Sequence, residues 1–341
     1  MKLSDIGEEA LIEHLVSKHL LPKSGEGLVV GVGDDAAVLS IVGSDELLIV
    51  TTDMLIEGVH FRLDWITPYE LGWRSVAANI SDIAAMGGIP TWTFVSIGLK
   101  PDTALGFVDE LYQGMTECAR LFGSEVGGGD TNSAEANSVI GVTQMGRVEP
   151  DRVTLRSTAR IGDRILVTGR LGDSLGGFEL LLKYGSEKAR QISKSLVSSH
   201  MTPTPRVSEA RAAVGTRRVH AMMDLSDGLG ADLPKLCKAS GVGAVVYAER
   251  VPISDELRRV ADKLGISAID LAASGGEDFE LLMTVAPEDV EQVIRAVNEQ
   301  TKTPVTEIGE IVAGPVEIVY SDGARKPLSG GWEHFAEGVG C

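Results

Sequence analysis

Residues 67–90 read TPYELGWRSVAANISDIAAMGGIP, and this stretch decides the class of fold. Thr67 and Glu70 are spaced as a capping box around a proline that suits the first helical position, so a helix is predicted to begin here. The paired glycines that start at Gly87 end this helix. Because the apolar segment 91–99 has the composition of a strand, the sequence predicts helices packed on a sheet.

The alternation of strands and helices continues on both sides of that helix. Strands are predicted at 28–32, 47–52, 91–99, 137–148, 164–168, 219–224, 244–247, 281–285, 306–312 and 316–320. Helices are predicted at 4–20, 68–86, 103–122, 174–184, 229–239, 254–264 and 287–299. The polar segment 151–163 is predicted to separate two domains, residues 1–150 and 151–341. The expected fold class is therefore α/β (α+β) with two domains.

Composition and charge exclude several classes of function. The 341 residues are 43% hydrophobic and 23% charged, which is an ordinary globular balance. With 31 basic and 49 acidic residues, the net charge of −18 disfavours nucleic acids and anionic membranes as partners. The first residues do not resemble a signal peptide, and no run of about 18 apolar residues is present. Three cysteines without a C-x-x-C motif indicate a reducing, cytoplasmic location.

Aspartates recur in glycine-containing or polar turns near the ends of predicted strands and helices. One such turn is ordinary, because Asp bonds its own backbone and Gly adopts positive φ easily. Six of them are unusual, and several follow apolar strands, where α/β proteins place ligand sites. The six stretches are Gly31–Asp35, Thr51–Asp53, Asn79–Asp82, Gly127–Asp130, Asp224–Gly228 and Ser274–Asp278.

If these carboxylates converge, they need a counter-charge. Two unit charges about 4 Å apart repel by roughly 4 kcal/mol at an effective dielectric constant of about 20. Oxygen ligands without a Cys or His set suit Mg²⁺ or Mn²⁺, and Mg²⁺ also bridges to phosphates. The backbone of Gly127–Gly129 is predicted to approach a phosphate closely. No Walker A sequence and no protein-kinase motif is present.

Six blocks make the sequence recognisable when they are taken together. In order they are GVGDDAAV, TTDMLIEGVHF, NISDIAAMGGIP, GGGDT, LSDGL and SGGEDFEL. Their order and spacing resemble the thiamine-monophosphate kinase family from about residue 4 to Phe335. The resemblance implies the fold of aminoimidazole ribonucleotide synthetase, shared with selenophosphate synthetase and hydrogenase maturation enzymes. It also implies a homodimer formed by the N-terminal domains, and direct transfer of the ATP γ-phosphoryl group to thiamine monophosphate.

The resemblance assigns roles to particular residues. The implied Mg²⁺ shell is Asp35, Thr51, Thr52, Asp53, Asp82, Asp130, Asp224 and Asp227, of which Asp53, Asp82, Asp130, Asp224 and Asp227 are the implied catalytic residues. The implied ATP contacts are Tyr112, Gly129, Asp130, Arg156 and Ser226, and the implied contacts to thiamine monophosphate are His60, Glu277 and Trp332. Thr51 stands where the family often has Ser, and Phe279 where it often has Tyr; both substitutions keep the relevant size.

Several of these residues also have an ordinary structural interpretation. His60 suits the surface or the edge of a core, Trp332 suits packing of the C-terminal tail, and Arg156 suits a solvated linker. Asn79, three residues before Asp82 on one helix face, is either a partner that supports the site or merely a cap-like polar residue.

Two rival functions are compatible with the same acids. One is another ATP-dependent synthetase of this fold. Selenophosphate synthetase, however, needs a reactive Cys or selenocysteine near its N-terminus, and the first cysteine here is Cys118. The other is an acidic scaffold that binds Mg²⁺ or Ca²⁺, although no EF-hand loop is present. ATP turnover with and without thiamine monophosphate separates the three hypotheses.

Overall fold

The protein contains two mixed β-sheets, seen in a computed structural model that describes residues 7–18 and 27–331. Within those ranges the first sheet has six strands in the spatial order β1-β2-β3-β6-β4-β5. Its strands are β1 (Leu28–Val30), β2 (Ala37–Ser40), β3 (Leu47–Ile56), β4 (Ile89–Leu99), β5 (Glu125–Ser133) and β6 (Val139–Val148). Neighbouring strands are antiparallel except β4 and β5, which are parallel.

The second sheet is built from the C-terminal half of the chain. Among the described residues it has seven strands in the order β13-β12-β9-β11-β7-β10-β8. They are β7 (Arg164–Thr168), β8 (Val219–Asp224), β9 (Gly243–Tyr247), β10 (Leu281–Val285), β11 (Val305–Val312), β12 (Val316–Val319) and β13 (Arg325–Pro327). The β9–β12 pair is parallel and the others are antiparallel. Each half therefore mixes strands and helices, as the sequence predicts.

The helices lie between these strands along the chain. They are α1 (Gly7–Lys18), α2 (Pro68–Ala85), α3 (Leu105–Leu121), α4 (Asp173–Ile192), α5 (Lys194–Met201), α6 (Val207–Gly215), α7 (Leu229–Ser240), α8 (Asp255–Leu264), α9 (Ala268–Ser274) and α10 (Val290–Gln300). Short 3₁₀ turns occur at Pro150–Arg152, Ala248–Arg250 and Pro287–Asp289. In the described ranges, no helix has the length and apolarity that a membrane span requires.

Helix α2 begins as its sequence predicts and lies at the centre of the molecule. Both hydrogen bonds of the capping box between Thr67 and Glu70 are present. The helix packs closely on α3, because a Cβ atom added to Gly72 would lie 2.0 Å from the carbonyl oxygen of Leu111. One apolar cluster continues from α2 and α3 into α4, α5 and α8. Helix α2 thus contacts elements from both halves of the chain.

Two predicted boundaries are wrong in ways that affect the site. Strand β3 runs to Ile56, so Asp53 lies inside a strand rather than in a turn after it. The glycines 127–129 form part of strand β5 rather than a loop. A Cβ atom at Gly129 would lie 1.6 Å from the carbonyl oxygen of Val95, so contact between the strands already requires glycine there. The sequence prediction also omitted the elements β2, β5, β13, α5, α6 and α9.

Candidate active site

A cavity of about 450 Å³ lies between α2 and loops of the C-terminal half. Its polar lining includes Asp53, His60, Asp82, Ser226, Asp227 and Glu277, all of which the sequence singled out. Its apolar lining includes Met54, Leu55, Val59, Ala78, Leu175, Phe178 and Phe279. The cavity therefore combines a carboxylate-rich part with walls that suit a flat organic ring.

Four aspartates from four separate elements influence one another electrostatically. Burial raises the pKa of Asp82 well above its usual range, and the carboxylates of Asp53, Asp224 and Asp35 raise it further. The pKa of Asp224 is also raised well above its usual range, first by burial and then by Asp35. The prediction that these carboxylates approach one another is thus supported by their mutual repulsion.

Helix α2 positions these acids through neutral side chains. The hydroxyl of Thr51 donates to Oδ2 of Asp82 over 2.7 Å. The hydroxyl of Ser81 donates to Oδ2 of Asp224 over 2.6 Å, which joins α2 to the end of β8. The buried side chain of Asn79 accepts a 3.1 Å hydrogen bond from the backbone N–H of Asp53. Of its two interpretations, Asn79 is therefore a partner of the site.

Arg156 binds the acids of the Gly-Asp-Asp turn. Its guanidinium is paired with Asp35, and its backbone N–H donates to Asp34 over 2.7 Å. Burial raises the pKa of Asp35 to about 6, although the charge of Arg156 opposes the rise. Oδ2 of Asp35 and Nε of Arg156 are buried without a hydrogen-bond partner. Such orphaned polar atoms are costly unless a ligand or ion satisfies them.

Lys235 is a second cation beside the acids. Its ammonium group is paired with Asp227 and lies 3.0 Å from Oδ1 of Asp232. The carboxylate of Asp232 also accepts the backbone N–H groups of Asp227 and Gly228, at 3.0 and 2.9 Å. These bonds hold the Leu-Ser-Asp-Gly turn at the cavity. Lys235 was not identified from the sequence.

The carboxylates suit a hydrated divalent ion better than a closed protein cage. Across the described ranges, no three His, Cys, Asp or Glu side chains are grouped closely enough to enclose a metal ion. Mg²⁺ keeps several waters and binds through one or two carboxylates together with substrate phosphates, so it does not need such a cage. The orphaned Asp35 oxygen and the oxygen-only donor set fit this ion.

Some predicted site residues do not line this cavity within one chain. Gly129 is in register with Asp53 across β6 and β4, which puts three strand spacings, about 14 Å, between them. Asp130 follows on the same edge strand and accepts hydrogen bonds from its neighbours Thr131 and Asn132. Tyr112 on α3 and Thr52, whose hydroxyl donates to Val142, are also absent from the cavity lining.

Two of the three predicted acceptor contacts line the cavity together. Nδ1 of His60 accepts the backbone N–H of Ile56 over 3.0 Å, which fixes the position of the imidazole ring. Glu277 has a backbone φ of +64°, and its carboxylate is paired with Arg74. The third predicted contact, Trp332, lies outside the described residues, so its role stays a prediction.

Arg74, Ser81 and His200 were missed by the sequence prediction. Arg74 and His200 line the cavity and are buried. A signal for Arg74 was present, because Arg74, Ala78 and Asp82 are spaced four residues apart and so share one stripe of α2. A cation on an otherwise buried stripe, in line with a predicted site acid, points to the same cavity. No comparable signal existed for His200.

Comparisons with known proteins agree first on the class of protein. Residues 33–148 match the family described as AIR synthase related protein, N-terminal domain, and residues 160–322 match its C-terminal domain. Hydrogenase maturation protein HypE in complex with ATP shares the fold, with a TM-score of 0.64 at 20% identity over 93% of this chain and 94% of that one. The fold and the acid-lined cavity define an AIR synthase related protein.

More similar proteins narrow the class to one family. Thiamine-monophosphate kinase of Aquifex aeolicus is 35% identical over 335 residues, covering 98% of this chain and all of that relative. A solved structure of AaThiL complexed with AMPPCP and TMP has a TM-score of 0.83 at 34% identity, over 98% of this chain and 99% of that one. The chain belongs to the thiamine-monophosphate kinase family.

Proposed function

We propose that this protein transfers the γ-phosphoryl group of ATP to the phosphate of thiamine monophosphate, giving thiamine diphosphate and ADP. The observation that carries the proposal is the group of mutually repelling carboxylates beside a cavity with apolar walls. Phosphoryl transfer needs charge neutralisation and alignment more than covalent help. The related structure with AMPPCP and TMP supports the same pair of substrates.

The residues that would hold Mg²⁺ are those named from the sequence: Asp35, Thr51, Thr52, Asp53, Asp82, Asp224 and Asp227 of one chain, together with Asp130 of a second copy. Bound Mg²⁺ supplies positive charge that offsets the charge of the phosphates of ATP and of the acceptor. Arg156, already beside Asp35, adds a cation at the same place. Since the acceptor phosphate is ionised, no strong general base is required, and transfer is direct.

The acceptor occupies the apolar part of the cavity in this proposal. Its aminopyrimidine and thiazolium rings suit the walls that include Leu175 and Phe178. Glu277 accepts a hydrogen bond from the amino group, His60 contacts the acceptor phosphate, and Trp332 offers an aromatic face to the cationic ring.

We propose a homodimer in which the exposed face of the first sheet is the interface. Tyr112, Gly129 and Asp130 lie away from the cavity of their own chain, and we infer that they serve the nucleotide site of a second copy. In this proposal the chain divides into two domains near residues 150/151. A cytoplasmic location is supported by Cys118 and Cys237, which are buried free thiols.

A product assay tests this function. The protein is incubated with ATP and either thiamine monophosphate or thiamine, with Mg²⁺ or with EDTA, and the products are separated by chromatography. Thiamine diphosphate should form only from thiamine monophosphate with Mg²⁺, because unphosphorylated thiamine lacks the group that is to be aligned. Asp82→Asn should remove most of this activity while the protein stays folded. Full activity in EDTA, or equal use of thiamine, would contradict the proposal.

A further inference from the structure

Arg74 is a charged side chain built into the wall of the acceptor cavity. Only 4% of its surface is exposed, and it projects from the middle of α2. Its Nη2 atom donates to Oε2 of Glu277. Buried arginines are rare unless they are paired, so this guanidinium depends on the Glu277 carboxylate as its counter-charge.

His200 contacts the second terminal nitrogen of the Arg74 guanidinium group. Nη1 of Arg74 lies 3.4 Å from Nε2 of His200, and the Ser174 hydroxyl lies 3.0 Å from Nδ1. Arginine only donates hydrogen bonds, so Nε2 must accept and the ring proton sits on Nδ1. Burial, and secondly the charge of Arg74, lower the pKa of His200 well below its usual range, which keeps the ring neutral.

Glu277 is held from the backbone as well as from its side chain. Its N–H donates to the carbonyl oxygen of Ser226 over 2.7 Å, and its φ of +64° is in the left-handed region. A non-glycine residue in that region is uncommon and is found where surrounding structure enforces it. Because the loop fixes the backbone and Arg74 fixes Oε2, the direction of the carboxylate is determined.

The Arg74–Glu277 pair also joins the two halves of the chain. Arg74 belongs to α2, which packs under the first sheet, and Glu277 belongs to the loop between α9 and β10 of the second half. The two residues are 203 positions apart in sequence. Burial raises the pKa of Glu277, and the charge of Arg74 opposes that rise, so the guanidinium favours the ionised carboxylate.

We propose that Arg74 is a positioning residue that determines acceptor specificity by aiming the Glu277 carboxylate at an exocyclic amino group of the acceptor's heterocycle. Arg74 donates a hydrogen bond to Oε2 of Glu277, and Oε1 of Glu277 is the atom that we assign to the ligand. His200 keeps the guanidinium group in place by accepting a hydrogen bond from Nη1. This inference rests on the proposed function, because the amino group is that of the aminopyrimidine ring.

The test compares Arg74→Met with a matched control, Arg190→Met. Arg190 also links α2 to the second half, since its guanidinium binds Glu70 at 2.8 and 2.9 Å, but it does not line the cavity. Each protein is assayed with thiamine monophosphate and with the analogue that carries a hydrogen atom in place of the exocyclic amino group, which therefore cannot donate a hydrogen bond there. Thermal unfolding is recorded for all variants.

The wild type should prefer the amino acceptor by at least about tenfold in kcat/KM, since a site built for a hydrogen bond rejects the analogue that lacks it. Arg74→Met should lower kcat/KM for the amino acceptor about tenfold to hundredfold, mainly through KM, and remove the preference. The KM for ATP should stay within about twofold. Arg190→Met should keep the preference of the wild type, and Arg74→Lys should restore part of it.

The positioning role would be overturned if the Arg74→Met variant kept the wild-type preference. It would also be overturned if that variant lost activity equally with both acceptors. If Arg74→Met does not fold, Arg74→Lys decides: an unchanged preference in that variant counts against the role, and a reduced preference supports it. A wild type that phosphorylates thiamine monophosphate, together with an Arg74→Met variant that keeps the wild-type preference, overturns the positioning role and leaves the proposed function standing. A wild type without that activity overturns both.

Discussion

At the scale of single residues, the site is held in an electrostatically strained state by its own carboxylates. Asp35 has one oxygen bound to Arg156 and the other buried without a partner. Its pKa is raised to about 6, chiefly by burial. The folded protein therefore binds a proton at Asp35 more tightly than the unfolded chain does. Stability from this group is greatest below the unfolded pKa near 4 and is lost as the pH rises through about 6.

Asp35→Asn should remove this pH dependence without removing the Oδ1 acceptor for Arg156. The difference in the free energy of unfolding between variant and wild type should therefore move in favour of the variant as the pH rises. A shift of about two pKa units corresponds to at most roughly 3 kcal/mol between pH 4 and pH 7.5. Urea unfolding in EDTA at several pH values measures it.

Asp64→Asn is the control for this experiment. Asp64 is exposed, and its pKa is lowered by hydrogen bonds from Arg62, so its contribution has the opposite sign and is small. A difference for Asp35→Asn that is constant from pH 4 to pH 7.5 would show that Asp35 is not held above its usual pKa.

At the scale of elements, the contact between α2 and α3 sets the position of the site. Two glycines let the helices approach: a Cβ atom at Gly72 would lie 2.0 Å from the carbonyl oxygen of Leu111, and one at Gly114 would lie 2.0 Å from that of Tyr69. Helix α2 carries Arg74 and Asp82 on one stripe, so a displacement of α2 moves both ends of the cavity.

Gly114→Ala should force the two helices apart, because neither backbone carbonyl can move without moving its helix. Overpacking of this kind costs roughly 1–3 kcal/mol. Kinase activity should fall as well, since small displacements of aligning groups reduce phosphoryl transfer. Chemical denaturation and initial rates at saturating substrates measure the two effects.

Gly106→Ala, near the start of the same helix, provides the matched control. No atom lies within 4 Å of a Cβ atom built there, so the change should be neutral or should stabilise by up to about 1 kcal/mol. Equal effects of the two substitutions would mean that helix contact does not limit the position of α2.

At the scale of the whole molecule, the outer face of the first sheet exposes large apolar side chains. Trp92 is 52% exposed and Phe94 is 38% exposed. Strand register places Trp92 beside Met145, and Met145 beside Val50, in one row across the sheet. Large exposed apolar side chains of this kind are typical of an interface, and a two-fold axis would bury them against a second copy.

Trp92→Glu combined with Phe94→Glu should convert the proposed dimer into a monomer, because carboxylates would be buried opposite one another. Activity should be lost with the dimer if Gly129 and Asp130 serve the site of the second copy. Light scattering at micromolar concentration and the product assay measure mass and activity on the same samples.

Leu105→Glu is the control for the dimer experiment. Leu105 is 75% exposed at the start of α3 and does not belong to the sheet face. It should change neither mass nor activity. A wild type that is monomeric yet fully active would contradict both the interface and the sharing of residues between copies.

The amino-acid sequence by itself determined the local elements and singled out the acids predicted for the site. The capping box of α2, strands such as Val219–Asp224, and the aspartate blocks depend on residues close together in the chain, where propensity and capping act. The ordered blocks were also specific enough to indicate the family, which the full-length similarity to thiamine-monophosphate kinases confirms.

Only the tertiary structure decided which side chains meet. It paired Arg74 with Glu277 across 203 positions and Ser81 with Asp224 across 143, and it placed Gly129 about three strands away from Asp53. It also showed that the glycines 127–129 are part of a strand. Contacts of this kind depend on how buried surfaces pack and which polar groups need partners, and local sequence does not encode either in a form that periodicity reveals.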